Sequence, residues 1–425
     1  MPLNIVIVGA GLGGLAAAIS IKSEQPDHSV QVIESAPELS EVGAGLQVTP
    51  NATRLLTRWK IAHILEKQSS SPEIFTIHRY SDGALIGQRE NFGKEMIAKY
   101  KSPFWDMHRA DLQIAMYNRA KTLGVNFRLG ATVTTIDLDT PSVALSTGER
   151  IESDLIVAAD GRPSPPMPTG DLAYRVIIPV ADIEDNNLRQ YFETPRVALW
   201  AGPDCHVICY PLKANSLLNI VLLVPDNLPE GVSRAIGDLK EMQNIFKEWD
   251  PRLQTLLSMV PKIDKWKLMH LDELERWYNK ESTIVFLGDA CHPMLPYLAQ
   301  GAGSSLEDGA ALGVLLSKVH RRADLPKALR MYEHLRKPRS SALQKRSMVQ
   351  RHTNHLHNGP EQQKRDELLL QQLDEPLPGY PFYWLDPTQQ GFVYGYDVYE
   401  ELEKLGFDSL NVRTTIGENN TQSKV

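Results

Sequence analysis

The hydrophobic residues at the start of the chain follow a pattern of strand, turn, helix and strand. Leu3 to Val8 is a short β-branched run that predicts a buried strand. The glycine-rich GAGLGG comes next, and the alanine-rich stretch from Leu15 to about Ile21 favours a helix. A second β-branched run, Val30 to Ile33, ends on Glu34. Together these segments predict one βαβ unit of roughly 30 residues, the usual length of the motif.

Further along the chain the pattern changes to short alternating runs. From about Leu172 to Val224, apolar and polar residues alternate in segments such as AYRVIIPV, which predicts antiparallel strands of a second sheet. Two helical segments follow around residues 236 to 258. Ser282 to Ala290 then predicts another buried strand that ends in a glycine-containing turn. Because this type of strand returns here, we expect the first domain to be discontinuous in sequence.

A long helical pattern runs from about Gly303 to Ser341 and is interrupted only near residues 322 to 326. Its Lys and Arg clusters are typical of a solvated helix face, so we predict that these side chains are exposed. The proline-rich stretches at 163 to 168 and 375 to 381 predict connections between elements.

Composition and charge exclude several classes of protein. The chain has 425 residues, a net charge of −7 and three cysteines. The negative net charge argues against nucleic acid as a partner, because proteins that bind nucleic acid gather Lys and Arg on one face. The few, irregularly spaced cysteines predict neither disulfides nor a metal site. No apolar stretch reaches the roughly 20 residues that span a bilayer, and no signal-peptide pattern is present. We therefore expect a cytoplasmic protein without stable membrane insertion.

The GAGLGG turn carries the pattern of a dinucleotide site. Gly9 permits the tight turn, Gly11 lets the backbone approach a pyrophosphate, and Gly14 lets helix and strand pack closely. The phosphates would lie at the helix N-terminus, where free N–H groups favour negative charge. Glu34 stands about 20 residues after the turn, where an acid can bind a ribose 2′-hydroxyl. This pattern alone does not separate FAD from NAD.

Together with this turn, three further segments resemble the flavoprotein aromatic hydroxylases that have one dinucleotide fold, of which salicylate hydroxylase and its fungal relatives are typical. The segments are MHRADL at 107 to 112, the Asp160–Gly161 pair, and GDACHPMLPYLAQGAGSSLEDGAAL at 288 to 312. The resemblance covers nearly the whole chain and implies FAD as the bound cofactor. NADPH or NADH would be a transient co-substrate, because no second strand–GxGxxG–helix unit follows residue 40.

The resemblance also implies which residues contact the cofactor. Gly288 and Asp289 would hold the ribityl part of the flavin. Backbone N–H groups near Gly301 and Gly303 would face the pyrimidine edge of its ring, and Arg109 would lie near the phosphates. The full predicted set of cofactor-binding residues is Gly9, Gly11, Gly14, Glu34, Gly45, Arg109, Asp160, Gly161, Gly288, Asp289, Pro293, Gly301, Ala302 and Gly303.

The reaction implied by the resemblance is a monooxygenation. NAD(P)H would reduce the flavin, O2 would add to form a C4a-hydroperoxide, and its distal oxygen would hydroxylate or epoxidise an electron-rich aromatic small molecule. Arg175 and Tyr210 match positions where relatives place catalytic groups that face the substrate. We predict that Arg175 stabilises a substrate oxyanion or carboxylate and that Tyr210 hydrogen-bonds the same end. The alternatives are a structural ion pair for Arg175 and core packing for Tyr210. We expect a monomer or homodimer.

With these assignments, we expect an α/β protein with a Rossmann-like FAD-binding domain, an inserted mixed or antiparallel β-sheet substrate domain, and C-terminal helices. The FAD-binding domain is predicted to comprise residues 1–75, 101–171 and 270–345. Residues 76–100 and 172–269 are predicted to form the substrate domain, and residues 346–425 a C-terminal extension.

One segment departs from the family pattern. Relatives follow the Asp-Gly pair with a serine and, three residues later, an arginine, and their connection to the next strand is longer. Here Ser164 keeps the serine spacing, while Met167 stands at the arginine position. A true deletion, a gene-model error and a loop missing from the numbering are all open explanations. Two alternative functions therefore stay open: another flavin oxidoreductase, such as a dehydrogenase or oxidase, and a flavin-binding pseudoenzyme.

Overall fold

The computed structural model of the protein describes residues 2–39, 45–161, 167–270, 272–373 and 375–406. Ser164, in the segment that differs from the family pattern, lies outside the described residues. Residues 407–425 of the predicted C-terminal extension do so as well.

The described residues form eighteen strands, many of them short and rich in β-branched side chains. In chain order they are β1 (Asn4–Val8), β2 (Ser29–Ile33), β3 (Gly45–Val48), β4 (Ile74–Arg79), β5 (Leu85–Arg89), β6 (Trp105–His108), β7 (Asn126–Arg128), β8 (Val133–Asp137), β9 (Ser142–Leu145), β10 (Arg150–Glu152), β11 (Leu155–Ala158), β12 (Met167–Pro179), β13 (Arg196–Gly202), β14 (Cys205–Leu212), β15 (Leu217–Pro225), β16 (Arg234–Ile236), β17 (Asp264–His270) and β18 (Ile284–Phe286).

Thirteen α-helices lie within the same part of the chain. In chain order they are α1 (Leu12–Glu24), α2 (Pro50–Arg58), α3 (Ala62–Leu65), α4 (Phe92–Tyr100), α5 (Arg109–Thr122), α6 (Asn186–Glu193), α7 (Leu239–Ile245), α8 (Pro251–Ser258), α9 (Gly301–Leu316), α10 (Leu325–Asn354), α11 (Pro360–Gln371), α12 (Pro387–Tyr394) and α13 (Val398–Lys404).

Two large sheets organise these elements. A five-stranded parallel sheet has the order β18-β11-β1-β2-β7. An eight-stranded sheet has the order β16-β17-β12-β15-β14-β13-β4-β5, and all its neighbours are antiparallel except β13 and β4. The predicted fold class, a Rossmann-like unit with an inserted mixed sheet and C-terminal helices, is confirmed. The strand β18 also returns to the parallel sheet as expected for a discontinuous unit.

Helix α9 packs against α1 through small residues, and this contact places the start of α9 beside the glycine turn. A Cβ atom on Gly309 would lie 2.5 Å from the Ala17 backbone nitrogen, and one on Gly313 would lie 2.2 Å from Ser20 Oγ. Larger side chains at these two positions would push the helices apart. The sequence GAALG of α9 thus lets two helix N-termini meet at one end of the parallel sheet.

The eight-stranded sheet has a hydrophobic core on each face. On one face, Leu172 and Tyr174 of β12 pack with Phe246 and Leu253 near α7 and α8. On the other face, strands β4, β13 and β14 pack against residues of the C-terminal part of the chain, among them Phe382 and Trp384. The C-terminal part therefore covers the face of the sheet that also carries the substrate candidates described below.

Two sequence predictions differ from the structure. Helix α10 does not end near Ser341 but continues to Asn354, with Pro338 inside it. Tertiary contacts of its buried residues, described below, outweigh the local cost of the proline. Second, residues 167 and 168 of the predicted connection belong to strand β12, because Met167 and Pro168 pair with β17. No described helix is both long and apolar enough to cross a lipid bilayer.

Candidate active site

A cleft of about 570 Å³ opens where the parallel sheet, the starts of α1 and α9, and the edge of the eight-stranded sheet meet. Strands β1, β2 and β11 reach it with their carboxyl ends, which is the usual ligand position in open parallel sheets. Eleven of the residues predicted from sequence line it. They are Gly9, Gly11, Glu34, Arg109, Asp160, Gly161, Arg175, Gly288, Asp289, Gly301 and Ala302.

The glycine turn has the geometry that a pyrophosphate needs. A Cβ atom on Gly14 would lie 2.1 Å from the Gly9 carbonyl oxygen, so only glycine allows α1 to start this close to β1. The N-cap residue of α1, Gly11, makes no side-chain capping bond. The N–H groups of the first turn therefore remain available to an anion at the positive end of the helix.

Glu34 closes the turn from the end of β2. Its carboxylate accepts hydrogen bonds from the backbone N–H groups of Ala10 and Ala36, each at 2.8 Å. These bonds fix the carboxylate at the wall of the cleft. An acid held in this way can accept a bond from a ribose hydroxyl and repels a 2′-phosphate. Together with the turn, it fits the ADP half of FAD.

The opposite wall begins at the Gly288–Ala290 turn and at the start of α9. The N-cap residue of α9, Gln300, makes no side-chain capping bond, and Gly301 and Ala302 line the cleft. Asp289 also lines it. Desolvation by the surrounding protein raises the pKa of Asp289, although nearby His292 and Arg109 lower it. A second helix N-terminus thus faces the same cleft, where it can stabilise negative charge on a flavin.

A buried ion-pair network supports this wall from behind. Arg336 of α10 is fully buried and bonds Asp308 at 2.8 Å and Glu307 at 2.7 Å. Arg339 is also buried and binds Glu307 with two nitrogens, at 2.7 and 2.8 Å. The prediction that the basic clusters of this helix are solvated is therefore wrong for these two arginines. Carboxylates on the neighbouring helix α9 pair with them and make their burial possible.

His292 extends the network to the cleft turn. Its Nε2 lies 2.5 Å from Asp308 Oδ2, and the same oxygen accepts the Gly288 N–H at 3.0 Å. Burial lowers the pKa of His292, but the charge and hydrogen bond of Asp308 outweigh this effect and raise it above its ordinary value. Burial likewise opposes ionisation of Asp308, yet His292 and Arg336 lower its pKa to about 2. The turn that carries Gly288 and Asp289 is thus held by charged groups.

At the inner end of the cleft, Arg175 projects from β12. Its side chain is half-buried and lies over the ring of Trp266, with 5.6 Å between its central carbon and the ring centroid. Within the described residues it has no hydrogen-bond or ion-pair partner. Burial lowers the pKa of Arg175, the nearby Tyr210 raises it, and Arg109 lowers it further. A guanidinium in this setting can bind an anionic group of a small molecule.

Tyr210 lies deeper than predicted. It is only 5% exposed and is not among the residues that line the cleft, because strand β3 covers it. A Cβ atom on Gly45 would lie 2.5 Å from Tyr210 Cε2, so this glycine permits β3 to pack on β14. Burial and the charge of Asp106 raise the pKa of Tyr210, which Arg175 lowers. Tyr210 and Arg175 are thus neighbours on one face of the sheet.

The other predicted residues outside the cleft wall have packing contacts. Gly14 and Gly45 permit the close approaches described above. Gly303 lies beside the side chains of Asn51 and Gln300. The Pro293 carbonyl accepts a hydrogen bond from Gln344 Nε2 at 2.8 Å. These residues therefore lie near the cleft but do not line it.

Several lining residues were not predicted from sequence. Thr132 and its neighbours Ala131 and Val133 follow strand β7. The carboxyl end of a parallel strand was the signal that could have found them. Leu46, Leu268 and Met294 also line the cleft, but their sequence context carries no comparable signal.

Comparison with known proteins agrees with this geometry. The family model described as FAD binding domain matches residues 3–347. The FAD-dependent monooxygenase OpS4 of Beauveria bassiana (strain ARSEF 2860) is 43% identical, over 93% of this chain and 95% of the relative. The 3-amino-4-hydroxybenzoate 2-monooxygenase PtmB3 of Streptomyces platensis is 30% identical, over 85% of this chain and 91% of the relative.

A solved structure, a substrate complex of salicylate hydroxylase, superimposes with a TM-score of 0.77 at 22% identity and covers 95% of this chain and 97% of that one. At this identity the likeness supports the fold. The family match and the curated relatives confirm the resemblance read from the sequence motifs, and with it the FAD cofactor. The chain belongs to the FAD binding domain family and is an FAD-dependent monooxygenase.

Proposed function

We propose that the enzyme uses NAD(P)H and O2 to hydroxylate an electron-rich aromatic small molecule that carries an acidic group. The observation that carries this proposal is the Arg175 side chain, which lines the cleft and has no anionic partner within the described residues. A half-buried cation without a protein anion is suited to a substrate carboxylate or phenolate.

Apolar side chains around Arg175 suit the aromatic ring. Arg175 pairs with Val221 on β15, and Val221 pairs with Ile208 on β14, so the three side chains share one face of the sheet. Met294 and Ala299 line the cleft and are half-buried. Such a surface can hold a planar ring and keep water away from the reacting atoms.

Glu34, the glycine turn and the start of α9 would hold FAD, which would supply the redox chemistry between NAD(P)H, O2 and the aromatic ring. The chain's own part is to hold the substrate. Arg175 pairs with its anionic group, while Tyr210, its neighbour on the same face of the sheet, lies behind the cleft wall. NAD(P)H binds transiently, because the sequence contains one dinucleotide turn.

The names of the relatives guide the choice of test compounds. PtmB3 is named for a hydroxylated benzoate, and salicylate hydroxylase for another. Both compounds combine a carboxylate with an electron-rich ring. Salicylate is therefore the first compound to test, with a resorcinol and an indole as aromatic compounds that lack the carboxylate.

Anaerobic bleaching of the flavin by NADH and by NADPH, with and without each compound, tests the reductive half of the proposal. We expect an acidic aromatic compound to accelerate bleaching. Product formed under isotopically labelled O2 should then contain one labelled oxygen atom. A product without label would indicate a flavin dehydrogenase or oxidase, and flavin that neither nicotinamide bleaches would exclude NAD(P)H as the electron donor.

A further inference from the structure

The loop that precedes α9 is fastened to helix α10 by two of its backbone carbonyl groups. The Pro293 carbonyl accepts a hydrogen bond from Gln344 Nε2 at 2.8 Å. The Leu295 carbonyl accepts one from Ser347 Oγ, also at 2.8 Å. Ser347 is buried in α10, where alanine would be the better helix former, so its hydroxyl is explained by the loop rather than by the helix. Helix α10 therefore fixes the backbone on both sides of Met294.

The residues next to these anchored carbonyl groups form part of the cleft wall. Met294 and Pro296 line the cleft, together with Ala299 at the end of the loop. Met294 is half-buried. A Cβ atom on Gly301 would lie 3.6 Å from Met294 Cγ, so Met294 packs on the first residue of α9. The loop is thus bound to α10 on one side and lines the cleft on the other.

Met294 also reaches the side of the cleft where the substrate is proposed to bind. With Ile208 and Val221, it packs against the hydrophobic core on one face of the eight-stranded sheet. Val221 is the cross-strand neighbour of Arg175, which lines the same cleft. A ring whose anionic group binds Arg175 and which lies before the start of α9 must therefore fit beside Met294. The thioether side chain can change its shape around a ligand, but its backbone cannot retreat, because α10 holds it.

We propose that Met294 is a specificity-determining residue that limits the width of the aromatic ring system, and that Gln344 and Ser347 are positioning residues that hold it. This inference rests on the proposed function. A single ring leaves Met294 in place, whereas a second fused ring needs the space that this side chain fills. Displacing a packed side chain costs free energy, so Met294 disfavours the wider ligand. Release of the loop carbonyl groups from α10 lets Met294 move away and reduces this discrimination.

Calorimetric binding of salicylate and of 3-hydroxy-2-naphthoate to the FAD-loaded enzyme tests the inference without turnover. The two ligands share the carboxylate and the adjacent hydroxyl and differ in the second ring. Met294→Ala should improve the binding of the naphthoate relative to salicylate by at least about tenfold, the effect of a small change in apolar volume in a pocket. Met294→Leu keeps nearly the same volume and should keep the wild-type ratio of the two Kd values. Gln344→Met removes the N–H donor and should shift the ratio in the same direction as Met294→Ala, by a smaller factor.

Arg346 provides the matched control on the same helix, because its Nε donates to Gln389 of α12 at 2.8 Å rather than to the loop. Arg346→Met should leave the ratio unchanged, and flavin content and melting temperature show that all variants are folded. The inference is overturned if Met294→Ala keeps the wild-type ratio, or if Gln344→Met shifts it no more than Arg346→Met does. Failure of the proposed function gives a different result, because the wild type would then bind neither ligand, and the inference would fail with it. If the proposed function is right, Arg175→Ala weakens both ligands alike, since both carry the carboxylate.

Discussion

At the scale of single residues, Arg175 is the side chain on which substrate binding is proposed to depend. Arg175→Ala should weaken the binding of salicylate by about 2 kcal/mol or more, since loss of one partner of a desolvated charge pair costs roughly 2–5 kcal/mol. Coupled hydroxylation should be lost while FAD stays bound. Calorimetry measures the loss of binding, product analysis the loss of hydroxylation, and the flavin content of the purified variant the retention of FAD.

Arg234 provides the matched control for this substitution. Its guanidinium also lies over Trp266, at 4.2 Å from the ring centroid, but it pairs with Asp264 and does not line the cleft. Arg234→Ala should therefore bind salicylate as the wild type does. If Arg175→Ala retained normal product formation, Arg175 would be assigned a structural role instead.

Two glycines of the turn should respond differently to the same substitution. A Cβ atom on Gly14 would clash with the Gly9 carbonyl, so Gly14→Ala should destabilise the protein by about 1–3 kcal/mol, as overpacking does. A Cβ atom on Gly11 meets nothing within 4 Å, but it would stand where the pyrophosphate approaches. Gly11→Ala should thus keep the stability of the FAD-free protein and weaken FAD binding. Urea unfolding and FAD titration distinguish the two, and equal effects at both positions would contradict this assignment.

At the scale of elements, the pairing of α9 with α10 determines the stability of the cleft wall. Arg336→Ala would leave Asp308 and Glu307 buried with fewer partners, and breaking a buried pair costs about 3–5 kcal/mol. We expect a loss of this size in urea unfolding. Arg330 is exposed on the same helix, and Arg330→Ala should change stability by less than about 0.5 kcal/mol. A similar loss in both variants would mean that the buried ion pairs of Arg336 are not the cause, because alanine is the better helix former at either position.

His292, which supports the same wall, should make the free energy of unfolding depend on pH. The pKa of His292 in the folded protein lies above 6.5, so its charged form stabilises the fold at low pH. This contribution is lost as the pH rises through the folded pKa. The stability difference between the wild type and His292→Gln should therefore be larger near pH 6 than near pH 9. A difference that grows with pH would show that neutral histidine is the stabilising form.

An element can be predicted from the sequence when the residues that determine its geometry lie within one short segment. The β1–α1–β2 unit was predicted because strand, glycines and Glu34 lie within a short segment whose spacing alone defines the geometry. The buried arginines of α10 were not predicted, because Arg336 and Arg339 look like surface residues until α9 brings Glu307 beside them. Charge patterns along one helix cannot report a partner on another helix.

At the scale of the whole molecule, prediction from the sequence is limited by the order and register of the strands in the sheets. Arg175 was found by its resemblance to family positions, but the depth of Tyr210 depends on strand β3, which packs over it from a distant part of the sequence. Leu268 reaches the cleft only because β17 pairs with β12. Such contacts follow from the pairing of strands that are far apart in sequence, which alternation of apolar residues does not determine.

The cofactor cleft exists only in the complete fold, and this has a measurable consequence. Its walls come from the first glycine turn, from Asp160 and from the start of α9, so the unfolded chain cannot form the site. A ligand that binds the folded state alone stabilises it by about 2.7 kcal/mol when its free concentration is about 100 times Kd. The melting temperature should therefore rise with added FAD, and at equal FAD the rise should be smaller in Gly11→Ala. An equal rise in both proteins would place the cofactor away from this turn, and a melting temperature independent of FAD would show that added FAD does not bind the folded state preferentially.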